Sequence, residues 1–375
     1  MASSPQASGR SHEATFLLEA LRGDAPTAVQ AVIDAARAVG DWYAVAALAQ
    51  RHAVGPWLLR VVSTPEIAGL VPGSAVDALR AQAAASTIAA LALAQAMEEA
   101  LLALEAEGVP VAVLKGPVIA EQFYPDPNLR PYRDIDLLVP LEASERVAAL
   151  CARLGYAVAE DHGGTHAAQH GTCEAPFETA YMHTETGLSL DVHYDHLQVG
   201  LRPRELDGLW QRSEAWTFQR ARARRPGLND LFLSLSVHLH RHGFERLIWF
   251  KDLDLIVRRT GDQLDWRWLN ETARAEGVAA SLQHTLWLLQ RLLDTPLSDE
   301  AAALARVSRL HRLLWREGDV IEAGERRGRW RRAVQFAPAE GLRGSLPSLL
   351  LMGRRSDKLQ ALWRRATRSD KTGLA

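Results

Sequence analysis

The sequence predicts an α+β protein, with a small mixed β-sheet core flanked by N-terminal and C-terminal helical regions. Three observations carry this. Up to about residue 107, and again from residue 229, apolar residues recur at three- and four-residue intervals. Between those stretches lie short apolar runs punctuated by Gly and Pro. The chain has 375 residues and is 47% hydrophobic, enough for a sizeable core and two or three domains.

Taken in order, helices are expected over 13–22, 27–38 and 42–52, followed by a long one from about Ala75 to Glu107. Ser74 is the expected N-cap of that helix, with Asp77 three residues on, and Gly108 ends it. Its many alanines favour the helix along its whole length. The apolar run at 109–114 reads as a strand, and 117–124 as a short helix after Lys115-Gly116. Three prolines, Pro125, Pro127 and Pro131, lead into a strand over 134–139 that Pro140 stops. A helix at 142–154 closes at Gly155, before a strand at Tyr156–Ala159. A Gly- and His-rich loop fills 161–171, and strands at 177–183 and 188–194 flank a turn at Thr184–Gly187. Helical periodicity then returns over 229–242, 246–259, 279–294 and 299–316. These segments divide the chain into a helical region (1–107), an α/β core (108–225) and a C-terminal helical domain with an Arg-rich tail (226–375).

Composition narrows the function classes. A formal net charge of -2 gives no global field toward nucleic acid or acidic lipid. The basic residues are nearly all Arg; lysines occur only at Lys115, Lys251, Lys358 and Lys371. The two cysteines, Cys151 and Cys173, make neither a disulfide framework nor a cysteine zinc site. No apolar signal core follows the polar N-terminus, and the most apolar run, Thr87 to Met97, is too short to span a bilayer. A cytoplasmic protein without a membrane span is expected. The Arg-rich run at 326–332 reads as a solvated helix face or tail.

The chemistry is concentrated in carboxylates. On a strand, residues i and i+2 share a face, so Asp134 and Asp136 stand side by side while Ile135 and Leu137 point away. Two like charges so close raise each other's pKa, a penalty that a hard divalent cation such as Mg²⁺ or Mn²⁺ removes. An isolated Asp-x-Asp is most often two solvated acids. Here the strand is otherwise apolar, a second alternating strand carries Asp191, and Lys115-Gly116 lies a short helix upstream. Together they describe a two-metal phosphoryl-transfer site, with a glycine that admits phosphates to the backbone. His193, two residues after Asp191, shares its face and could touch phosphate or hold Asp191.

The run from Val113 to Pro140 resembles the signature of the uncharacterised nucleotidyltransferase family, within the DNA-polymerase-β-like superfamily. Leu114, Lys115, Gly116, Tyr124, Arg130, Asp134, Asp136 and Leu138 match it in order. Asp191 and His193 fall in a second matching segment, and His238, His242, Trp249 and Asp252 in a third; the resemblance covers roughly residues 40 to 260. It implies that NMP passes from an NTP to an acceptor hydroxyl or phosphate, with release of pyrophosphate. By it, Asp134 and Asp136 bind both metals, and Asp191 completes the first metal site and acts as base or orienter. Lys115 and Gly116 hold the triphosphate, Arg130 meets phosphate oxygens, and His238 and His242 stand beside nucleotide or acceptor. Many members of the superfamily carry Gly-Ser at the phosphate turn; here Pro117 follows Gly116, and Lys115 is the expected substitute for the lost hydroxyl.

Two other readings compete. A non-catalytic nucleotide-binding scaffold on the same fold would retain NTP binding without Asp191. A zinc hydrolase would use clustered histidines, either His162, His166 and His170 or the His238–His242 helix, which lacks the metalloprotease glutamate. With no basic groove legible, a small molecule, peptide or protein is favoured as acceptor over a long nucleic acid.

Overall fold

A seven-stranded mixed sheet lies at the centre of the computed structural model, which describes residues 10–22, 28–159, 178–197, 207–307 and 317–322. Before it come α1 (His12–Arg22), α2 (Ala28–Ala38), α3 (Trp42–Arg51), α4 (Gly55–Val62), α5 (Pro65–Ala68) and α6 (Gly73–Ala106). The core elements are β1 (Ala112–Val113), α7 (Pro117–Phe123), β2 (Asp134–Leu138), α8 (Ser144–Arg153), β3 (Tyr156–Val158), β4 (Glu178–His183) and β5 (Ser189–His193). Then come α9 (Asp207–Arg212), β6 (Glu214–Phe218) and β7 (Ala221–Arg225). The C-terminal helices are α10 (Leu228–Arg241), α11 (Leu247–Thr260), α12 (Trp266–Ala275), α13 (Ala279–Leu293), α14 (Asp299–Leu304) and α15 (Glu317–Glu322). The α+β class is as the sequence predicts.

The strand order is β3-β4-β5-β2-β1-β7-β6. β2 runs parallel to β5, and β1 runs antiparallel to β2 and parallel to β7. One face of the sheet is apolar: Ile135, Leu137, Val139, Leu190 and Val192 pack with Leu93, Met97, Leu101 and Leu104 of α6 and with Val147, Leu150 and Cys151 of α8. The opposite face carries the polar residues of the site.

A second core joins the two helical regions. Phe16, Leu17, Trp57 and Leu58 from the N-terminal side cluster with Phe232, Phe250, Leu253 and Leu289 from the C-terminal side, and with Ile119 and Phe123 of α7. Regions far apart in sequence therefore share one interior. A buried ion pair fastens it: Lys251 Nζ lies 3.0 Å from Asp254 and donates to the Leu21 carbonyl at 2.8 Å. Burying two charges is costly, and the extra hydrogen bond and the Trp57 ring 4.4 Å from the ammonium offset that cost.

Several local expectations need correction. α6 starts at Gly73, directly after Pro72, so Ser74 is inside the first turn and makes no cap. A proline already supplies the non-helical residue before the first turn, and no side-chain cap hydrogen bond forms there. Gly108 does end the helix, at φ +63°. The run at 109–114 forms only a two-residue strand. Helix α14 ends at Leu304 and residues 305–307 are not helical, while the remainder of the helix expected to 316 lies outside the described residues. The β6–β7 hairpin and the helices α4 and α12 were not anticipated. The apolar run expected to be too short for a bilayer belongs to α6, whose 34 residues and mean hydropathy of 1.5 over 18 residues would allow a crossing by length and composition. Its two ends are built into the two cores, at Ala75 and Leu79 and at Leu93 to Leu104. The His162, His166 and His170 loop, Cys173 and the Arg-rich run at 326–332 lie outside the described residues.

Candidate active site

Register brings the carboxylates together. Pairing of β2 with β5 sets Asp134 opposite Ser189, Asp136 opposite Asp191 and Leu138 opposite His193. Directly paired residues project to the same side of a sheet, so Asp134, Asp136, Asp191 and His193 all stand on the face away from α6 and α8. On the next strand Glu178 pairs with His193 and Ala180 with Asp191. Glu178 joins the site through this pairing. No sequence pattern marked it, because its partner is fixed only by the fold.

Lys115 leaves the end of β1 and turns in to the acids. Its Nζ lies 2.8 Å from Asp136 Oδ1 and donates to His238 Nδ1 at 3.2 Å. His193 Nε2 donates to the same Asp136 oxygen at 2.9 Å, and its Nδ1 lies 3.6 Å from Glu178 Oε2. Asp136 is thus buried between two nitrogen donors. Burial alone would raise its pKa, yet the Lys115 charge and the His193 hydrogen bond hold it below the usual carboxylate range. Lys115 stays protonated: burial works against its charge, but Asp136 and Asp134 outweigh it and raise its pKa. Burial and the nearby Lys115 charge push His238 well below the usual histidine range. A neutral His238 with Nδ1 accepting carries its proton on Nε2.

The other two acids lack that compensation. Burial and then the neighbouring Asp136 raise Asp134, and the same two causes push Asp191 up to about 6. Ser189 Oγ donates to Asp191 at 3.0 Å. Two carboxylates biased toward protonation mark a site short of positive charge. As hard oxygen donors, the three acids suit Mg²⁺ or Mn²⁺ in chemical type. Among the described residues no three His, Cys, Asp or Glu side chains are gathered as a metal-binding group. One Asp136 oxygen is already bonded to Lys115 and His193, so Lys115 supplies part of the cationic role. The donor set fits the cation, with Asp136 the ligand that must exchange a partner.

Gly116 follows Lys115 at φ +61°, in a region that L side chains rarely adopt, and an added Cβ would lie 3.6 Å from the Tyr132 ring. That distance is an ordinary contact, so it is the backbone conformation of the turn that favours glycine.

Arg130 is placed differently from the sequence expectation. Its Nη2 and Nε donate to the two oxygens of Asp252 at 2.8 and 3.2 Å, and Tyr124 donates to Asp252 at 2.8 Å. All three side chains are buried. The arginine thus fastens the loop before β2 to α11, with two of its donors spent on that link. His242 is exposed, and its ring lies 4.4 Å from His238 and 5.1 Å from Trp249. It extends the aromatic wall beside Lys115. Arg246 lies over Trp249 at 5.4 Å, near both Arg133 and Asp134. The position of Arg246 was missed, since it reaches the site from the start of a distant helix.

The family model described as an uncharacterised nucleotidyltransferase matches residues 39–294. No curated protein matches the chain.

Proposed function

This chain belongs to the uncharacterised nucleotidyltransferase family, and from that premise we propose that it moves an NMP group from an NTP to an acceptor hydroxyl, releasing pyrophosphate. The observation that carries this reading is the register that sets Asp136 opposite Asp191, with Asp134 two residues away on the same face. Asp134, Asp136 and Asp191 would hold Mg²⁺ or Mn²⁺, whose charge, when bound, neutralises the reacting phosphates. Lys115 donates to phosphate oxygens, and the Gly116 turn lets the triphosphate approach the backbone. His238 holds the Lys115 ammonium at that position, while His193 orients Asp136. The acceptor oxygen bonds to the α-phosphorus as the bond from that phosphorus to the bridging oxygen of the β-phosphate breaks. Pyrophosphate leaves, and the hydroxyl proton passes to a carboxylate oxygen of Asp191.

The test is incubation with α-labelled NTPs, Mg²⁺ and candidate acceptors. Mg²⁺-dependent NTP binding and label transfer are expected. Asp191→Asn should abolish transfer and leave NTP binding within a few-fold, since Lys115, Gly116, Asp134 and Asp136 remain. If the intact protein binds no NTP in the presence of Mg²⁺, the reading is wrong. Full turnover by Asp191→Asn would remove that residue from the chemistry.

A further inference from the structure

The site is electrically lopsided, and the asymmetry follows the strand order. From β2 toward β1 and β7 the sheet carries cations: Lys115 follows β1, and β7 carries Arg222, Arg224 and Arg225, of which Arg222 is paired with Glu105 and Arg225 with Glu214. The helices beside Lys115 add Arg241 and Arg246. From β2 toward β5, β4 and β3 the strands carry no Lys or Arg at all. The sequence shows how complete this is. No Lys or Arg occurs between Arg153 and Arg202, in a chain with 43 of them. The same stretch contains Glu178, Glu185, Asp191 and Asp195.

The charges acting on the two outer acids repeat the pattern. Asp134 lies within reach of Lys115 and Arg130. The ionisable groups that act on Asp191 include Asp136, Asp134, Glu178 and His193. Beyond Asp191 the same sheet face continues as Ser189, Ala180, Met182 and Ala157, because Ser189 pairs with Met182 and Met182 with Ala157. Met182 is 44% exposed there, an open apolar patch one strand away from the proposed base.

A triphosphate has several negative charges and belongs on the cationic side, at Lys115 and Gly116. The acceptor must then approach Asp191 from the other side, over β5, β4 and β3. Resting on the transferase reading, we propose that the acceptor is a hydroxyl compound without phosphate groups, which lays an uncharged or amine-bearing body against Met182 and Ala157. With the metal charge taken up by the triphosphate, a phosphorylated acceptor would approach past Glu178 over strands that, among the described residues, offer no Lys or Arg to hold its phosphate. Nucleic acids, nucleotides and sugar phosphates are thereby selected against, and hydroxyls of neutral or amino-substituted molecules, including peptide side chains, are admitted.

The test compares matched pairs that differ by one phosphate: a hexosamine and its phosphate ester, a serine peptide and its phosphoserine form, a nucleoside and its monophosphate. Pyrophosphate release from Mg²⁺–NTP is titrated with each. In at least one pair the phosphate-free member should act at a concentration about tenfold or more below that of its partner, and the reverse order should occur in none. Met182→Arg, a change at an exposed position, should narrow that ratio, and Met182→Gln should keep it. Equal response within every pair, silence included, overturns the proposal, as does preference for any phosphorylated member. Loss of the transferase reading has a separate signature, since Mg²⁺–NTP binding, measured without acceptor, would then be absent.

Discussion

Replacing Asp252 separates a structural role for Arg130 from a phosphate-binding one. Asp252 is fully buried and takes two hydrogen bonds from the Arg130 guanidinium and one from Tyr124. Asp252→Ala leaves the buried guanidinium without its counter-charge, and breaking a buried pair in this way costs roughly 3–5 kcal/mol. The two charge-assisted hydrogen bonds alone, at about 1.5–3 kcal/mol each, give a similar sum. Arg130→Met should cost a comparable amount, because it leaves Asp252 buried with only Tyr124. The double variant should cost clearly less than the two single losses added, since it leaves no lone charge. Denaturant unfolding of the four proteins measures this cycle, and NTP titration of each reports on binding. Additive losses below about 1 kcal/mol each, joined to a large fall in NTP affinity for Arg130→Met alone, would refute the structural assignment. Arg130 would then be a phosphate ligand that the Asp252 pair merely parks.

Other outcomes follow from single features. Gly116→Ala should cost roughly 1–2 kcal/mol in stability, from the strained φ, and should weaken NTP binding while leaving the acids in place; unfolding and titration check both. His52 is buried with Nδ1 accepting from Leu247 N–H at 3.3 Å and Nε2 donating to the Ile321 carbonyl at 2.9 Å, so the neutral ring is the one that fits. Burial pushes its pKa down to about 4, from 6.5 in the unfolded chain. Its contribution is therefore complete above pH 6.5 and is lost as pH falls toward 4, by up to about 3 kcal/mol, and His52→Gln should flatten that part of the stability–pH curve. Lys251→Met leaves Asp254 with Arg258 and Thr295 but takes away its second cation and the donor to the Leu21 carbonyl, and should destabilise by roughly 1–3 kcal/mol without changing the NTP affinity of the protein that remains folded.

Much of the site was legible because its signals are local. The period of two in Asp134-Ile135-Asp136 and in Leu190-Asp191-Val192 identified both strands and the faces of their acids. The pairing of those strands was not legible, since parallel neighbours are joined by long connections and register is set by the apolar face they share. Arg130 was misplaced for the same reason: its partner lies 122 residues along the chain. The β6–β7 hairpin did leave a trace, as Ala221 and Ala223 alternate with Arg222 and Arg224. That trace was obscured because the turn uses Gln219 at φ +50°, without the Gly or Asn that advertises such a position.

Helix α6 gives the molecule a mechanical property that neither core has alone. At about 1.5 Å per residue its 34 residues form a rod about 50 Å long, clamped at one end in the helical core and at the other beneath the sheet. Between the clamps Ile88 and Leu91 are 69% and 68% exposed, so the span is stiffened chiefly by its own backbone and its alanines. One degree of tilt at one end displaces the other by roughly 1 Å over that length. The aromatic wall of His238 and Trp249 rides on the helical core, whereas the carboxylates ride on the sheet. The gap between them, where a triphosphate would have to fit, is also spanned directly by α7 and by the Arg130–Asp252 pair, so α6 is a third link between the two cores, running behind the sheet. Softening its middle with glycine would loosen that one link without altering a single residue in the cleft.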